Sequence, residues 1–373
     1  MGAENLVLTE EQEELRDSLR RFLADRSPMS RVRQTIETTE GFDRALWDRM
    51  AADLSLQGMA VPDTCGGAGF GQVEMSIVME ELGRALVPAP FLASAVLATN
   101  ALLALDDADA MRELLPSIAA GRTIATLAVA EDGGGWDGSK MTTTAVLGDD
   151  GWLLHGAKKP VVDGFDADLV LVIADAGGEL GFFVLDGDAP GLSRTRLAGL
   201  DLTRRLASLE FSRVPARRLV CEDAIGALGH VMDLASVALA AEQLGGLQRC
   251  LEMSVDYAKA RAQFGRPIGS FQAVKHLCAD MHVAMELARS AVRYAAWAAD
   301  AAPDELPVAA GLARAYCSEA FFKVAADTIQ VHGGIGFTWE HDAHLYYRRA
   351  KSSELLLDGP VQVRERLAER LGV

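Results

Sequence analysis

Three regimes of hydrophobic pattern follow one another along the chain. In the first third, apolar residues recur at helical spacing. Leu15, Leu19, Phe22 and Leu23 follow Thr9, which with Gln12 has the pattern of a capping box. Residues 85–105, ALVPAPFLASAVLATNALLAL, carry no charge and approach membrane-spanning length. Pro88 and Pro90 interrupt that run, and Ser94, Thr99 and Asn100 lie within it, so it reads as a helix buried in a large core. Near Arg122 the pattern shortens. Residues 123–131, 142–147, 152–159, 168–175, 179–186 and 206–214 are rich in β-branched or aromatic residues and are separated by Gly, Asp and Pro, which predicts a small all-β domain. Helical period returns at about Glu222. One long helix is predicted to run to the region of Arg261, a second from about Phe271 to Ala301, and a third from about Leu306 to Val331. Short links between long helices predict an antiparallel bundle. The expected fold class is α+β, with an N-terminal helical domain over 1–120, a β domain over 121–222 and a C-terminal helical bundle over 223–373.

Composition narrows the function classes. A chain of 373 residues, half of them hydrophobic, can bury a sizeable core. A net charge of −17 argues against a general nucleic-acid or acidic-membrane surface, while leaving room for a local basic pocket. The five cysteines, Cys65, Cys221, Cys250, Cys278 and Cys317, are odd in number and form no CxxC pair. They read as reduced thiols of a cytoplasmic protein rather than a disulfide frame or a zinc site. The acidic start, MGAENLVLTEEQEEL, lacks the pattern of a signal peptide. The glycine cluster DTCGGAGFGQ at 63–72 follows no strand and fails the spacing of a dinucleotide fingerprint, so a loop between helices is expected there.

Two stretches carry denser chemistry. RAQFGRPIGSFQAVKH, 261–276, gathers Arg261, Gln263, Arg266, Gln272 and Lys275 around Phe264 and Phe271 at a glycine- and proline-bent corner. An anionic ligand with a flat ring system would use such donors and rings; a helix corner with solvated charges is the plainer alternative. In DTIQVHGGIGFTWEHDAHLYYRRAK, 327–351, Gln330 and His332 precede Gly333 and Gly334, where backbone can approach a ligand closely or Gly333 can cap a helix.

Together these stretches resemble the acyl-CoA dehydrogenases: R-x-Q-F-G-x-P-I-x-x-F-Q, then Q-x-H-G-G-x-G-[FY]-T-x-E before a tyrosine- and arginine-rich run. The resemblance implies helices, then a β-barrel-like domain, then a four-helix bundle, with FAD bound without a Rossmann fingerprint. It implies that Arg261 and Phe264 reach the FAD of a neighbouring subunit, Arg261 on the pyrophosphate, where a guanidinium offers several donors and a permanent charge. Gln272 would sit near the adenosine half, Gln330 and Gly334 would close on the pyrophosphate from the other protomer, and Gln263, Phe271 and Gly333 belong to the same corners. Gln362 matches a later glutamine that approaches FAD. An acyl-CoA substrate, a tetramer and an electron-transfer flavoprotein as acceptor are implied with it, and no nucleic acid or membrane span.

The reacting end departs from the family pattern. Asp358-Gly359-Pro360 stands where Glu-Gly-Thr is expected, so Asp358 is the candidate base for the α-proton; a helix N-cap followed by Pro360 is the alternative. Ala235 occupies the other position at which relatives keep a base, leaving Glu242 and Glu354 as weaker candidates. Ala130 precedes Glu131 where a threonine is expected, Pro160 and Val162 replace Trp and Thr, and Ser236 replaces an arginine. Arg370 is the candidate for the CoA phosphate. Because the departures cluster at the reacting end, the alternative to a self-sufficient dehydrogenase is a non-catalytic subunit that completes the FAD site of a heterotetramer.

Overall fold

The computed structural model describes residues 6–133 and 135–373. The N-terminal part holds α1 (Glu10–Arg26), α2 (Met29–Ile36), α3 (Arg44–Leu54), α4 (Gln72–Arg84), α5 (Thr99–Leu103) and α6 (Ala108–Ala119). The capping box read from Thr9 and Gln12 opens α1, and Leu19 and Leu23 bury the face it presents. The glycine cluster is a loop leading into α4. The charge-free run forms a buried π-helix, Leu92–Ala98, continuous with α5. Its wider turns leave carbonyls to satisfy, and the Thr99 hydroxyl donates to the Ser94 carbonyl at 2.9 Å. Ser94 Oγ in turn accepts the Ala125 N–H at 3.1 Å, tying this helix to the first strand.

The strands are β1 (Ala125–Ala128), β2 (Thr144–Gly148), β3 (Gly151–Val162), β4 (Leu169–Asp175), β5 (Leu180–Asp186), β6 (Leu192–Leu197) and β7 (Leu206–Arg218). β4 pairs β2 and β5, β2 pairs β3, β3 pairs β7, and β7 returns to β5, so the sheet closes on itself; β1 flanks β4 and β6 flanks β7. The two-residue period divides the strand side chains between two cores. Leu169, Leu171, Ile173, Phe182 and Val184 face the helices, while Val170, Val172, Ala174, Phe183 and Leu185 fill the barrel. β6 is absent from the sequence reading. Its half-buried positions carry Arg194, which donates to the Ala167 carbonyl at 2.9 Å, and Arg196, which pairs with Asp166 and lies 4.1 Å over the Phe165 ring. Arginine stems cover apolar surface there without a hydrophobic signature.

The C-terminal bundle is α7 (Ala224–Ala260), α8 (Gln272–Ala301) and α9 (Leu306–His332), with α10 (Ala343–Leu355) and α11 (Pro360–Leu371) packed on α9. α7 is apolar around much of its circumference because it is the central element, packed on α4, α8 and α9. Its small residues serve close packing. A Cβ on Gly245 would fall 1.8 Å from the Glu80 carbonyl oxygen, one on Gly83 2.0 Å from that of Glu242, and one on Gly246 2.4 Å from the Phe321 ring. α4 and α7 therefore cross at backbone contact, each with a glycine against the other's main chain.

Candidate active site

The site is built around the link from α10 to α11. Leu357 and Asp358 both adopt the left-handed backbone region, φ 55° and 74°. For L side chains this costs roughly 1–2 kcal/mol per residue, so the surroundings must enforce it. Two features do so. The Leu357 side chain is buried in the main core. The buried Arg314 guanidinium, reaching from α9, donates through Nη2 to the carbonyls of Ser353, Glu354 and Leu356 at 2.7, 3.2 and 2.6 Å. These bonds satisfy the end of α10 and fix the chain before the turn.

The turn delivers Asp358 to the wall of a cavity of about 190 Å³. Asp358 is not the helix cap that its sequence allowed: Gly359 holds the N-cap position of α11 and no side chain caps it. The Asp358 carboxylate instead accepts a hydrogen bond from Arg366 Nη1, one face of α11 away. Trp136 and Asp137, together with Met232, Asp233 and Ser236 of α7, also line the cavity. Ser236 donates its hydroxyl to the Met232 carbonyl at 2.8 Å.

Arg370 also lines this cavity, but its terminal nitrogens are committed. Nη1 donates to Asp233 at 2.8 Å and to the Pro307 carbonyl at 2.6 Å, and Nη2 to Asp233 at 3.2 Å. Burial pushes the Asp233 carboxyl up, against the pull of Arg370. The other carboxylates weighed as bases are occupied elsewhere. Glu242 is clamped by Arg204 at 2.6 Å and Arg349 at 2.7 Å, and Glu354 by Lys351 at 2.5 Å. Ala235 is buried.

The cofactor candidates lie at the other end of the bundle. Arg261 closes α7, its N–H donating to the Tyr257 carbonyl. Ala262–Gln263 pairs with Arg266–Pro267 as a small hairpin whose turn, Phe264-Gly265, has φ 54° and 77°, the signs that a tight hairpin turn requires. Phe264 is 90% exposed and meets the half-buried Phe271 edge to face, while the Arg266 guanidinium lies 4.2 Å over the Phe271 ring. Gln272 begins α8. Tyr257 stacks against His332 at 4.5 Å, and this contact brings the end of α9 alongside: exposed Gln330, then Gly333 as its cap at φ 63°, then Gly334. Nothing lies within 4 Å of a Cβ built on Gly333 or Gly334. Guanidinium, amides, an exposed aromatic ring and open backbone thus share one corner, a donor set that fits a dinucleotide pyrophosphate. Gln362 is exposed on α11, at the Asp358 end.

One uninterrupted helix separates the two clusters. Asp233 and Tyr257 are both on α7, which puts them about 36 Å apart at 1.5 Å per residue. A single chain therefore does not bring Arg261 or Gln330 to the Asp358 cavity.

Glu131, Lys158, Ala130 and Val162 are buried at the barrel's helix-facing end. Glu131 accepts from Lys158 Nζ at 2.7 Å and from the N–H groups of Thr142 and Thr143 at 2.7 and 3.0 Å. Burial works to raise its carboxyl, but those bonds win and bring it from 4.5 to about 2. Because the folded-state value is depressed, its stabilisation is complete above about pH 4.5 and is lost as pH falls toward 2. Glu131→Gln is expected to lower the urea midpoint at pH 7 and to flatten its decline between those two pH values, measured by fluorescence at a series of pH values.

Asp358 was legible as a candidate; Arg366, Asp137 and Arg314 were not. The spacing of Arg366 and Arg370, four apart on one helix face, does not say which of them meets a carboxylate.

Three family models match nearly the whole chain: acyl-CoA dehydrogenase N-terminal domain over 9–122, middle domain over 126–214 and C-terminal domain over 227–371. The sequence is 37% identical to acyl-CoA dehydrogenase IpdE2 of Mycobacterium tuberculosis over 96% of each chain. Among solved structures, a chain of a variant of the Tcur3481-Tcur3483 steroid ACAD aligns with TM-score 0.89 and 34% identity, covering 97% of this chain and 98% of that one. A chain of the ChsE4-ChsE5 complex from Mycobacterium tuberculosis aligns with TM-score 0.89 and 30% identity, over 98% of each.

Proposed function

This chain belongs to the acyl-CoA dehydrogenase family, and from that membership we propose that it desaturates an acyl-CoA thioester with Asp358 as the base for the α-proton. The observation that carries the assignment is the strained Leu357-Asp358 turn, which spends backbone energy to hold a carboxylate at a cavity wall. The other carboxylates considered, Glu242 and Glu354, are ion-paired away from this cavity.

FAD, the cofactor the family uses, would supply the acceptor for the β-hydrogen, which leaves as hydride. Arg261, Gln263 and Phe264 with Phe271 and Gln272, and Gln330 with Gly333 and Gly334, would hold its phosphate and adenosine portions. Gln362 would approach it from the Asp358 end. Asp358 would take the α-proton onto a carboxylate oxygen. Positioned proton transfer of this kind contributes typically about 10²–10⁴ in rate. The apolar side chains of Trp136, Met232 and Leu357 would limit water at the thioester.

The separation of the two clusters supports assembly as an oligomer, in which one chain's Arg261 corner serves a neighbour's cavity. The ChsE4-ChsE5 complex, as described, joins two differently named chains, which supports a related chain as the neighbour. Electrons would pass on to an electron-transfer flavoprotein, as the resemblance implies. The steroid ACAD among the neighbours supports a ring-bearing acyl group as the first substrate class to try.

The test is flavin absorbance per chain of the protein purified alone and after co-expression with a related chain, followed by anaerobic addition of straight-chain, branched and ring-bearing acyl-CoAs. Bleaching of bound flavin is the expected result. Flavin that no acyl-CoA reduces in either preparation would overturn the assignment.

A further inference from the structure

Asp358 does not stand alone in its cavity. Its Oδ2 is held by Arg366, while its Oδ1 turns toward the 135–137 loop. The position a Cβ would take on Gly135 lies 3.6 Å from Asp358 Oδ1 and 3.5 Å from Asp137 Oδ1. Two carboxylates therefore converge on one glycine. Asp137 is anchored independently, its Oδ1 accepting the N–H and hydroxyl of Ser139 at 3.0 and 2.8 Å. Asp137 and Arg366 line the same cavity, and although burial works to raise the Asp137 carboxyl, the Ser139 bonds and the charge of Arg366 carry it below the usual range. Among the described residues, Arg366 donates a hydrogen bond to Asp358 alone, so the remaining donors of its guanidinium stay available at the cavity wall.

The charges around this trio come from every packed element. Arg314 of α9 also lines the cavity and feels the charge of Asp358; its Nη2 is spent on carbonyls and its Nη1 on Ser318, while its Nε is buried without a partner among the described residues. Asp233 of α7 is paired to Arg370 of α11, with His230 beside it. The Asp233–Arg370 pair is thus committed, and Arg366 is the cation in direct contact with the candidate base.

A carboxylate gripped by a cation through one oxygen accepts a proton more readily at the other, because the hydrogen bond already draws on the first. Once it does, the guanidinium has lost its counter-ion. A second carboxylate nearby removes that penalty, because the cation keeps a partner throughout. We propose that Arg366 is a positioning residue shared by Asp358 and Asp137: it holds Oδ2 of the base so that Oδ1 receives the substrate proton, and it is neutralised by Asp137 when Asp358 becomes the neutral acid. The α-proton moves from carbon to Asp358 Oδ1, and no other bond changes at these three residues. This inference rests on Asp358 being the base.

The signs of the two substitutions are opposite. Arg366→Leu removes a cation from beside the base, so the acid limb of the pH–rate profile for flavin bleaching moves to higher pH. Asp137→Asn removes a like charge and leaves Arg366 wholly to Asp358, so the same limb moves to lower pH. An opposite charge in direct contact shifts such a limb by about 1 pH unit or more, the size expected for Arg366→Leu. A residue that merely supports the fold would move both limbs alike or neither. The experiment uses the assembled flavoprotein and measures bleaching rate against pH for wild type, Arg366→Leu, Arg366→Gln, Asp137→Asn and Asp358→Asn. Thermal melting and affinity for a non-oxidisable thioether analogue of acyl-CoA are recorded beside it. Opposite shifts, with melting and analogue affinity retained, are the expected result. Arg366→Gln keeps a hydrogen-bond donor without the charge and serves if the leucine variant misfolds. Shifts of one sign, or none, with Asp358→Asn inactive would overturn the shared-arginine role while leaving the base in place. An active Asp358→Asn variant would overturn both.

Discussion

Replacing Asp358 by asparagine is expected to slow anaerobic flavin bleaching by an acyl-CoA by about 10²–10⁴, the range that positioned proton transfer contributes. Asparagine is the informative choice. It matches aspartate in shape and tolerates the left-handed backbone at φ 74°, so the Leu357-Asp358 turn survives. Alanine would also remove the carboxylate, but it would leave Arg366 without its partner and strain the turn. The measurement is a stopped-flow bleaching rate at saturating substrate, with flavin content per chain as the control. A variant that retains its flavin and bleaches at the wild-type rate would remove Asp358 from the mechanism. In an assembly with a related chain, that result would assign the base to the other subunit.

The second large effect is expected on stability. Arg349 of α10 is fully buried. Its Nε donates to Asp201 at 2.5 Å and to Thr203 Oγ1 at 3.1 Å, Nη1 donates to Glu242 at 2.7 Å, and Nη2 donates to the Thr203 carbonyl and hydroxyl. One guanidinium thereby joins the C-terminal bundle, the link between β6 and β7, and the central helix. Arg349→Met preserves much of the volume and removes the charge. Asp201 is then buried without its cation, and Glu242 keeps only Arg204. Breaking a buried pair on one side costs roughly 3–5 kcal/mol. The expected outcome is a lower chemical-denaturation midpoint or a loss of soluble protein. An unchanged midpoint would mean that water reaches the network freely. Glu242→Gln is expected to be milder, because Arg349 retains Asp201 and Thr203.

The sequence carried those parts of the fold that announce themselves through apolar periodicity. The three long bundle helices and most of the strands follow from their spacing and their β-branched content. β6 was invisible because Arg194 and Arg196 occupy its inward positions and bury only their stems. The same blindness applies in the site. A carboxylate before a short helix can be picked out of a sequence, and Asp358 was. Whether it caps that helix or faces a cavity depends on two backbone angles, which only the packing of Leu357 and the reach of Arg314 decide. α11 carries Arg364, Arg366 and Arg370, and nothing local says which of them turns inward. In the structure Arg364 pairs outward with Glu319, Arg370 is spent on Asp233, and Arg366 meets Asp358. Arg261 and Gly333, far apart in the chain, were read together only through the family resemblance. The Tyr257–His332 contact supplies the physical reason that they share a corner.

The crossing of α4 and α7 bears on how such a cavity could change its clientele. With Gly83 set against the Glu242 main chain and Gly245 against that of Glu80, the two helices touch through atoms that no substitution can shorten. Their spacing is already at its minimum. Any larger residue at either glycine would force the helices apart and disturb the buried charges on Glu242. A wider or narrower substrate chamber is therefore not reached by sliding these helices in small mutational steps. It has to come from the side chains that line the cavity, among them Trp136 and Asp137 and those of the Leu357-Asp358 turn. In this architecture the backbone clasp is the fixed dimension, and a change of cavity shape by substitution falls to the rim.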